Sequence, residues 1–450
     1  MLRNKYSKSS SYAVICSLET TTFLYSTSLS ISAFLQHNLL IRKACNPVEP
    51  FGECINGETN AQHVVSVMQS WKAFLQYIIP VFLIILAGPW SDSHGNRRRP
   101  LMILPIVGQI LTDALCIVNA YFWSWPPQVA AVFEGIVPGM FGARSMFWVG
   151  VISYISDNTS LEERTLRFGV INATYYISSL IGTGLSGILN IKLGFYGAFA
   201  VPISLNFIAV FLIFYFIKDT SVPYDESQKW LRPNHILQGF LSLFKGEVKN
   251  YALTLIVLLA CQSVLSGRIA AEYSVMYLFV RYKFNWKEIN YSYFAAFKMT
   301  MIFFGTLFSV SVLSHRFKIN DAIIGVIACL FDIIAAMSYC FANEPWQMYI
   351  IPIIDMFHGT ALNITTSLTS KMVKREEFGR LNSIQGLVNT GESFILVSLY
   401  STVYNFTFEY ITGAVFLMNV ILTLPLLFIF LTLFYKCKHI WSEEKNIANT

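Results

Sequence analysis

The sequence predicts an all-α membrane protein of twelve spanning helices in two six-helix bundles, with both termini cytoplasmic. Three observations predict it. Only 13% of the residues are charged while 54% are hydrophobic; soluble domains carry roughly 25% charged residues, so polar material is too scarce to cover a water-facing surface. A mean hydropathy of +0.52 and an aromatic content of 15% are the opposite of a solvated, disordered chain. Apolar stretches near the spanning length of about 20 residues recur as six, a polar interval, and six more. A soluble enzyme is nearly excluded.

The first stretch, residues 12 to 38, follows a basic start of Arg3, Lys5 and Lys8. It is long and rich in Ser and Thr, without a short apolar core and small-residue cleavage site, so it predicts a retained helix rather than a signal peptide. Stretches at 64–90, 101–121, 128–153, 168–190 and 195–217 complete a bundle over residues 1–217. Residues 218–248, including DTSVPYDESQKWLRPNH, are too polar to enter lipid and too short to form a domain, which makes them a cytoplasmic linker. Stretches at 249–280, 289–313, 319–341, 347–369, 380–404 and 408–435 predict the second bundle, 249–435, and residues 436–450 form a tail.

Orientation follows from the basic residues, which concentrate in cytoplasmic loops. With both termini inside, 22 of the 32 Lys and Arg fall on inner segments and 6 on outer loops. The net charge of +6 is therefore mainly a topogenic signal, and no nucleic-acid partner is expected. On the outer side, the loop from Leu39 to His63 holds Cys45 and Cys54. They are a candidate disulfide if that loop faces an oxidising space, and two free thiols otherwise. Sequons at Asn290 and Asn405 fall on expected outer loops and are candidate glycosylation sites. No CxxC pair or His cluster suggests a metal, and no cofactor is expected.

The segment GPWSDSHGNRRRP, residues 88–100, fits G-x-x-x-D-x-x-G with a basic cluster, the signature between helices 2 and 3 of the major facilitator superfamily. Gly88 and Gly95 suit close chain approach, Asp92 can accept charge-assisted bonds, and Arg97 and Arg98 can bond helix ends or acids across a cytoplasmic gate. A second sign is internal: EERTLRFG (162–169) and REEFGRLN (375–382) are related short loops at half-chain spacing, as expected of a transporter built from two repeats.

Eleven charges fall inside the expected helices: Lys72, Arg144, Arg268, Lys298, Glu19, Asp113, Glu134, Glu272, Asp332, Asp355 and Glu392. Facing lipid they would cost on the order of 30 kcal/mol together, so most must line a cavity or pair. Arg268 and Glu272 are one turn apart on one helix face, as are Asp355 and His358. Both pairs are candidates for a site where a proton and an anionic substrate compete; a static Arg268–Glu272 ion pair is the alternative. Asp332 reads as a structural partner of Lys298. His358 would suit coupling through titration near neutral pH, or is a satisfied core histidine. Tyr175, Tyr176 and Tyr273 could stack on a planar ring, though aromatics at helical spacing also serve packing. The substrate/proton pathway candidates are thus Arg268, Glu272, Asp355, His358, Glu392, Lys298, Asp332, Arg144 and Glu134.

Three stretches, GPWSDSHGNRRRP, PGMFGARSMFWVGVISYISDNTSLEERTLRFGVINA (138–173) and SKMVKREEFGRLNSIQG (370–386), resemble solute carrier family 46, the proton-coupled folate transporter group. The resemblance extends over essentially the whole chain and is weaker in the second half; its most specific element is Trp90 to Gly95. It implies an importer or lysosomal exporter of organic anions driven by a proton gradient. The sequence departs from the folate-transporting pattern at Met140, Asn172 and Thr366, where charges are expected, and has no histidine near Ser266. The expectation is a monomeric, proton-coupled transporter of a small organic anion, folate/pterin-like, muropeptide-like or cyclic-dinucleotide-like, in the plasma membrane or, alternatively, the lysosomal membrane. A receptor or scaffold on the same fold is the second reading. An integral membrane enzyme is disfavoured because no nucleophile motif or metal cluster appears.

Overall fold

A computed structural model describes residues 2–93, 97–159, 161–219, 252–372 and 378–448, and the side chains of most of them. Among the described residues the chain is helical, with no strand. Helices α1 (Leu2–Cys45), α2 (Glu58–Ser93), α3 (Arg99–Tyr121), α4 (Pro127–Met140), α5 (Ala143–Asn158) and α6 (Leu161–Phe216) form the N-terminal half. The C-terminal half comprises α7 (Ala252–Phe284), α8 (Glu288–Phe308), α9 (Asp321–Phe341), α10 (Gln347–Ile354), α11 (Thr360–Met372), α12 (Phe378–Thr407) and α13 (Leu417–Ala448).

Three of these elements depart from straight spans. Helix α6 covers two of the expected stretches and bends at Gly194, whose φ of 63° is a conformation that glycine adopts without Cβ strain. The fourth stretch is broken into α4 and α5 at Phe141–Gly142, Gly142 being left-handed with φ 86°. The tenth is interrupted by a 3₁₀ turn, Asp355–Phe357, between α10 and α11. Among the described residues, eight stretches are long and apolar enough to cross a membrane. Helices α1 and α12 are long, yet their Ser, Thr and Asn content keeps them outside that set.

The halves meet along α2 against α12 and α6 against α8. At the end carrying the 46–57 loop, one apolar cluster runs continuously from Phe34, Leu35 and Phe199 of the first half to Phe279, Tyr404 and Phe416 of the second. Towards the other end each half has its own cluster, around Met102, Ile106 and Phe147 in one and around Leu265, Ile324 and Phe430 in the other. Apolar burial therefore joins the halves at the first end, here named the disulfide end because Cys45 and Cys54 are bonded to each other there.

Candidate functional site

Six side chains from four places in the C-terminal half meet in one buried network. Arg268 of α7 donates to Asp332 of α9 (Nη2 to Oδ2, 2.6 Å), and both are about 1% exposed. The other oxygen of Asp332 lies 3.0 Å from His358 Nδ1, which is also 3.2 Å from Asp355 Oδ1. Lys298 of α8 bonds Glu272 of α7 and sits 3.6 Å from Asp355 Oδ2, its ammonium 4.9 Å from the Tyr339 ring centre. Asn419 of α13 donates to Glu272 (2.7 Å) and accepts from Tyr400 of α12 (2.5 Å). The 3₁₀ turn is what places Asp355 and His358: breaking the tenth apolar stretch turns both towards α8 and α9, a use of an interrupted helix known from transporter sites.

The pairing differs from the sequence expectation. Arg268 and Glu272 share a face of α7 but each takes a partner on another helix. Lys298 does not pair with Asp332; it takes Glu272 and Asp355, while Asp332 takes Arg268 and His358. Ligand atoms of Asp332, Asp355 and His358 lie within 4.8 Å of one another, spacing that could hold a cation. Arg268 and Lys298 already engage those carboxylates, so a metal would have to displace them. Charge counting gives three acids, two fixed cations and one imidazole. The network is neutral with one added proton and carries −1 without it.

In the N-terminal half, Lys72 of α2 pairs with Glu134 of α4 at 2.9 Å, both buried. Arg144, on the first turn of α5, is exposed, and no carboxylate among the described residues is within ion-pair distance. Its partner is the Tyr175 hydroxyl of α6, 3.3 Å away. Tyr175 packs edge-on against Trp148 and Tyr176, and the next residue along, Ser145, meets Thr390 of the C-terminal half at 2.9 Å. A water-accessible guanidinium beside aromatic rings at the seam between halves can bind an anion with a flat or apolar body. Glu392 is half-buried, with one carboxylate oxygen lacking a hydrogen-bond partner. Of the family-departure positions, Met140 and Asn172 are exposed, and Thr366 accepts from Gln262 at 2.9 Å.

The basic motif is only partly described: Gly95 and the side chain of Asp92 lie outside the described residues, as does the Gly88 environment. Arg98 donates to Asp157 (2.8 Å) and Ser91 (2.9 Å), and the Arg98 and Arg99 amides both donate to Asp219. These partners all belong to the N-terminal half, and Arg97 is exposed. The linker from 220 and residues 375–377 likewise lie outside the described residues; the rest of the two related segments is helical rather than loop, 162–169 within α6 and 378–382 in α12, with most of their side chains not described. Both sequon asparagines are helical rather than in loops. Asn290 is exposed on the first turn of α8, and Asn405 sits on α12, where Oδ1 meets Ser66 and His63 of α2 at 2.7 and 2.8 Å.

Residues 20–396 match the Major Facilitator Superfamily. The chain belongs to that superfamily. The expected subfamily is also found. The "lysosomal proton-coupled steroid conjugate and bile acid symporter" of Gallus gallus, a solute carrier family 46 member, is 25% identical over 359 residues, 77% of this chain and 74% of that protein. A "probable peptidoglycan muropeptide transporter" of Drosophila melanogaster, from the same family, is 22% identical over 74% of this chain and 66% of its own. Among solved structures, the human organic anion transporter MFSD10 superposes with a TM-score of 0.65 at 14% identity, covering 93% of this chain and 99% of that one. A D-xylose–proton symporter gives 0.66 at 9% identity, covering 93% and 97%. The protein is an integral, multi-pass membrane protein of the Major Facilitator Superfamily, similar to members of solute carrier family 46, and its class of activity is secondary transport.

Proposed function

We propose that this protein is a proton-coupled transporter of a small organic anion, working by alternating access across twelve spans. The observation that carries the coupling is the buried network of Arg268, Glu272, Lys298, Asp332, Asp355 and His358, whose charge is balanced only when it holds one proton. In a low-dielectric interior an uncompensated charge costs several kcal/mol, so proton gain or loss biases which arrangement of the helices is favoured. One carboxylate oxygen of Asp355 has no hydrogen-bond partner, which suits a place for that proton. Arg144, with Tyr175 and Trp148 beside it, anchors the anion.

The twelve spans are supported by counting α6 as two crossings on either side of Gly194, α4 with α5 as one, and α10 with α11 as one. Substrate class follows Arg144 and its aromatic neighbours. They suit a single anionic group on an apolar ring body, the chemistry of the steroid conjugates and bile acids for which several relatives are named. The loss of charge at Met140, Asn172 and Thr366 argues against folate. The Cys45–Cys54 disulfide suits an outer or luminal location for that end, and an acidic lumen would supply the proton; those relatives' names place them in lysosomes.

The test is uptake of labelled taurocholate by proteoliposomes under an imposed pH gradient. Acidifying the disulfide side should increase uptake, and Glu272→Gln should remove the gradient-driven component. If neither taurocholate, a steroid sulfate nor a muropeptide moves under any gradient, the transport reading fails in favour of a receptor or scaffold. Uptake that ignores both pH and Glu272→Gln removes the coupling alone.

A further inference from the structure

Six acidic side chains are fully buried among the described residues: Asp113, Glu134, Glu272, Glu288, Asp332 and Asp355. Five have a cation within ion-pair distance, namely Lys72, Lys298, Arg42, Arg268 and Lys298 again. Asp113 of α3 has none. Its side chain is wholly enclosed, and its partners are three neutral groups. Ser32 Oγ of α1 is 2.8 Å from Oδ2, Gln109 Nε2 of α3 is 2.9 Å from Oδ1, and Gln36 Nε2 of α1 is 3.4 Å from Oδ1.

Among the described residues, the surroundings offer no hidden compensation. On α1 the nearby titratable group is Tyr25, itself buried; on α3 it is Cys116, whose Sγ lies 3.9 Å from Glu134. On α4 it is Glu134, a like charge already held by Lys72. Helix α5 brings Arg144, bonded to Tyr175, and Asp157, bonded to Arg98. Helix α6 brings Arg167, bonded to Glu19, and the exposed Lys192. An isolated carboxylate in this position would lose its hydration with only neutral donors in return, at a cost of several kcal/mol. A protonated carboxyl fits the same three contacts: Oδ1 accepts from the two glutamines while Oδ2–H and the Ser32 hydroxyl share one hydrogen bond.

We propose that Asp113 is a proton-binding site in the N-terminal half, separate from the C-terminal network and occupied in this conformation. It is formed at the seam of α1 and α3, so a movement that lets water reach that seam releases the proton. The site stands on geometry; its use as a second exchangeable proton in the cycle rests on the transport reading above.

The experiment is infrared pH-difference spectroscopy of the full chain in lipid nanodiscs, with no substrate added. The wild type should show the C=O band of a protonated, buried carboxyl at neutral pH, and Asp113→Asn should abolish one such band. Asparagine keeps the shape and the accepting oxygen. A spectrum that loses no band in the folded variant overturns the proposal. If Asp113→Asn does not fold, Gln109→Leu decides: removal of one hydrogen bond to the carbonyl oxygen should shift the band to higher frequency, and an unshifted band overturns the proposal. Because the protein is titrated alone, a failure of taurocholate transport leaves this outcome readable.

Discussion

Arg268 and Asp332 are each about 1% exposed and 2.6 Å apart, so removing one partner strands a charge in the interior. Arg268→Met should destabilise the protein by about 3–5 kcal/mol, read as a lowered unfolding temperature in detergent. Arg268→Met with Asp332→Leu should recover most of that loss, since an apolar pair of similar volume needs no hydration. Transport should stay lost in both, because neither variant keeps the Arg268–Asp332 pair on which the network is built. His358→Gln is the milder change: the fold should persist while the pH dependence of uptake flattens, a difference read from initial rates over a pH series. The sequence made the members of this network legible, because charges inside apolar stretches cannot lie in lipid cheaply. It did not make the pairing legible. Spacing along α7 shows that Arg268 and Glu272 share a face, yet which neighbour each one meets depends on the rotation of α8 and α9 about their own axes. Asp113 was visible as a buried charge but not as a site, since its lack of a cation is a property of four neighbouring helices.

At the scale of elements, the closeness of α6 and α8 depends on Gly187. A Cβ there would stand 2.4 Å from Ser292 Oγ and 2.5 Å from the Glu288 carbonyl oxygen, and the Gly187 amide already donates to Ser292 Oγ at 2.9 Å. The backbone carbonyl cannot move aside cheaply, so Gly187→Val should hold the halves apart at the disulfide end. The expected outcome is a folded protein that binds taurocholate from that side but transports it at least tenfold more slowly, measured by binding and flux on the same preparation. The apolar stretches located most of these helices in the sequence, including the interval that became the Gly194 bend. The breaks at Phe141–Gly142 and Asp355–Phe357 were not read from the apolar pattern, although Pro138, Gly139 and Gly142 at the first and Pro352 and Gly359 beside the second are helix-breaking signals. Packing then fixes where each break falls: Phe141 is wedged against Gly108 of α3, and the Asp355 and His358 side chains are drawn into the ionic network.

Across the whole molecule, the ion pairs that join the halves among the described residues cluster at the disulfide end. Arg42 bonds Glu288 at 2.5 Å, Arg281 bonds Glu58 at 2.9 Å, and His63 bonds Glu409 at 2.6 Å. Tyr277 donates to Asn38 and Gln62 donates to the Leu278 carbonyl in the same region. With the shared apolar cluster beneath them, these contacts close that end, and a transport cycle has to break them. The His63–Glu409 pair is about 42% exposed on each side, so its contribution is small and salt-sensitive. The Arg42 and Arg281 pairs are largely shielded; charge-assisted bonds of this kind contribute about 1.5–3 kcal/mol each. Removing both should shift the balance between closed and open disulfide ends by two to four orders of magnitude, at about 1.4 kcal/mol per tenfold change. Arg42→Ala with Arg281→Ala, carrying spin labels at the exposed positions Glu53 and Lys287, should therefore show a longer inter-label distance than the parent. The longer population should shrink again when proton and taurocholate are added together, if binding both is what draws the end closed. A distance distribution that does not move on loss of both arginines would mean that the apolar cluster alone sets the closed state.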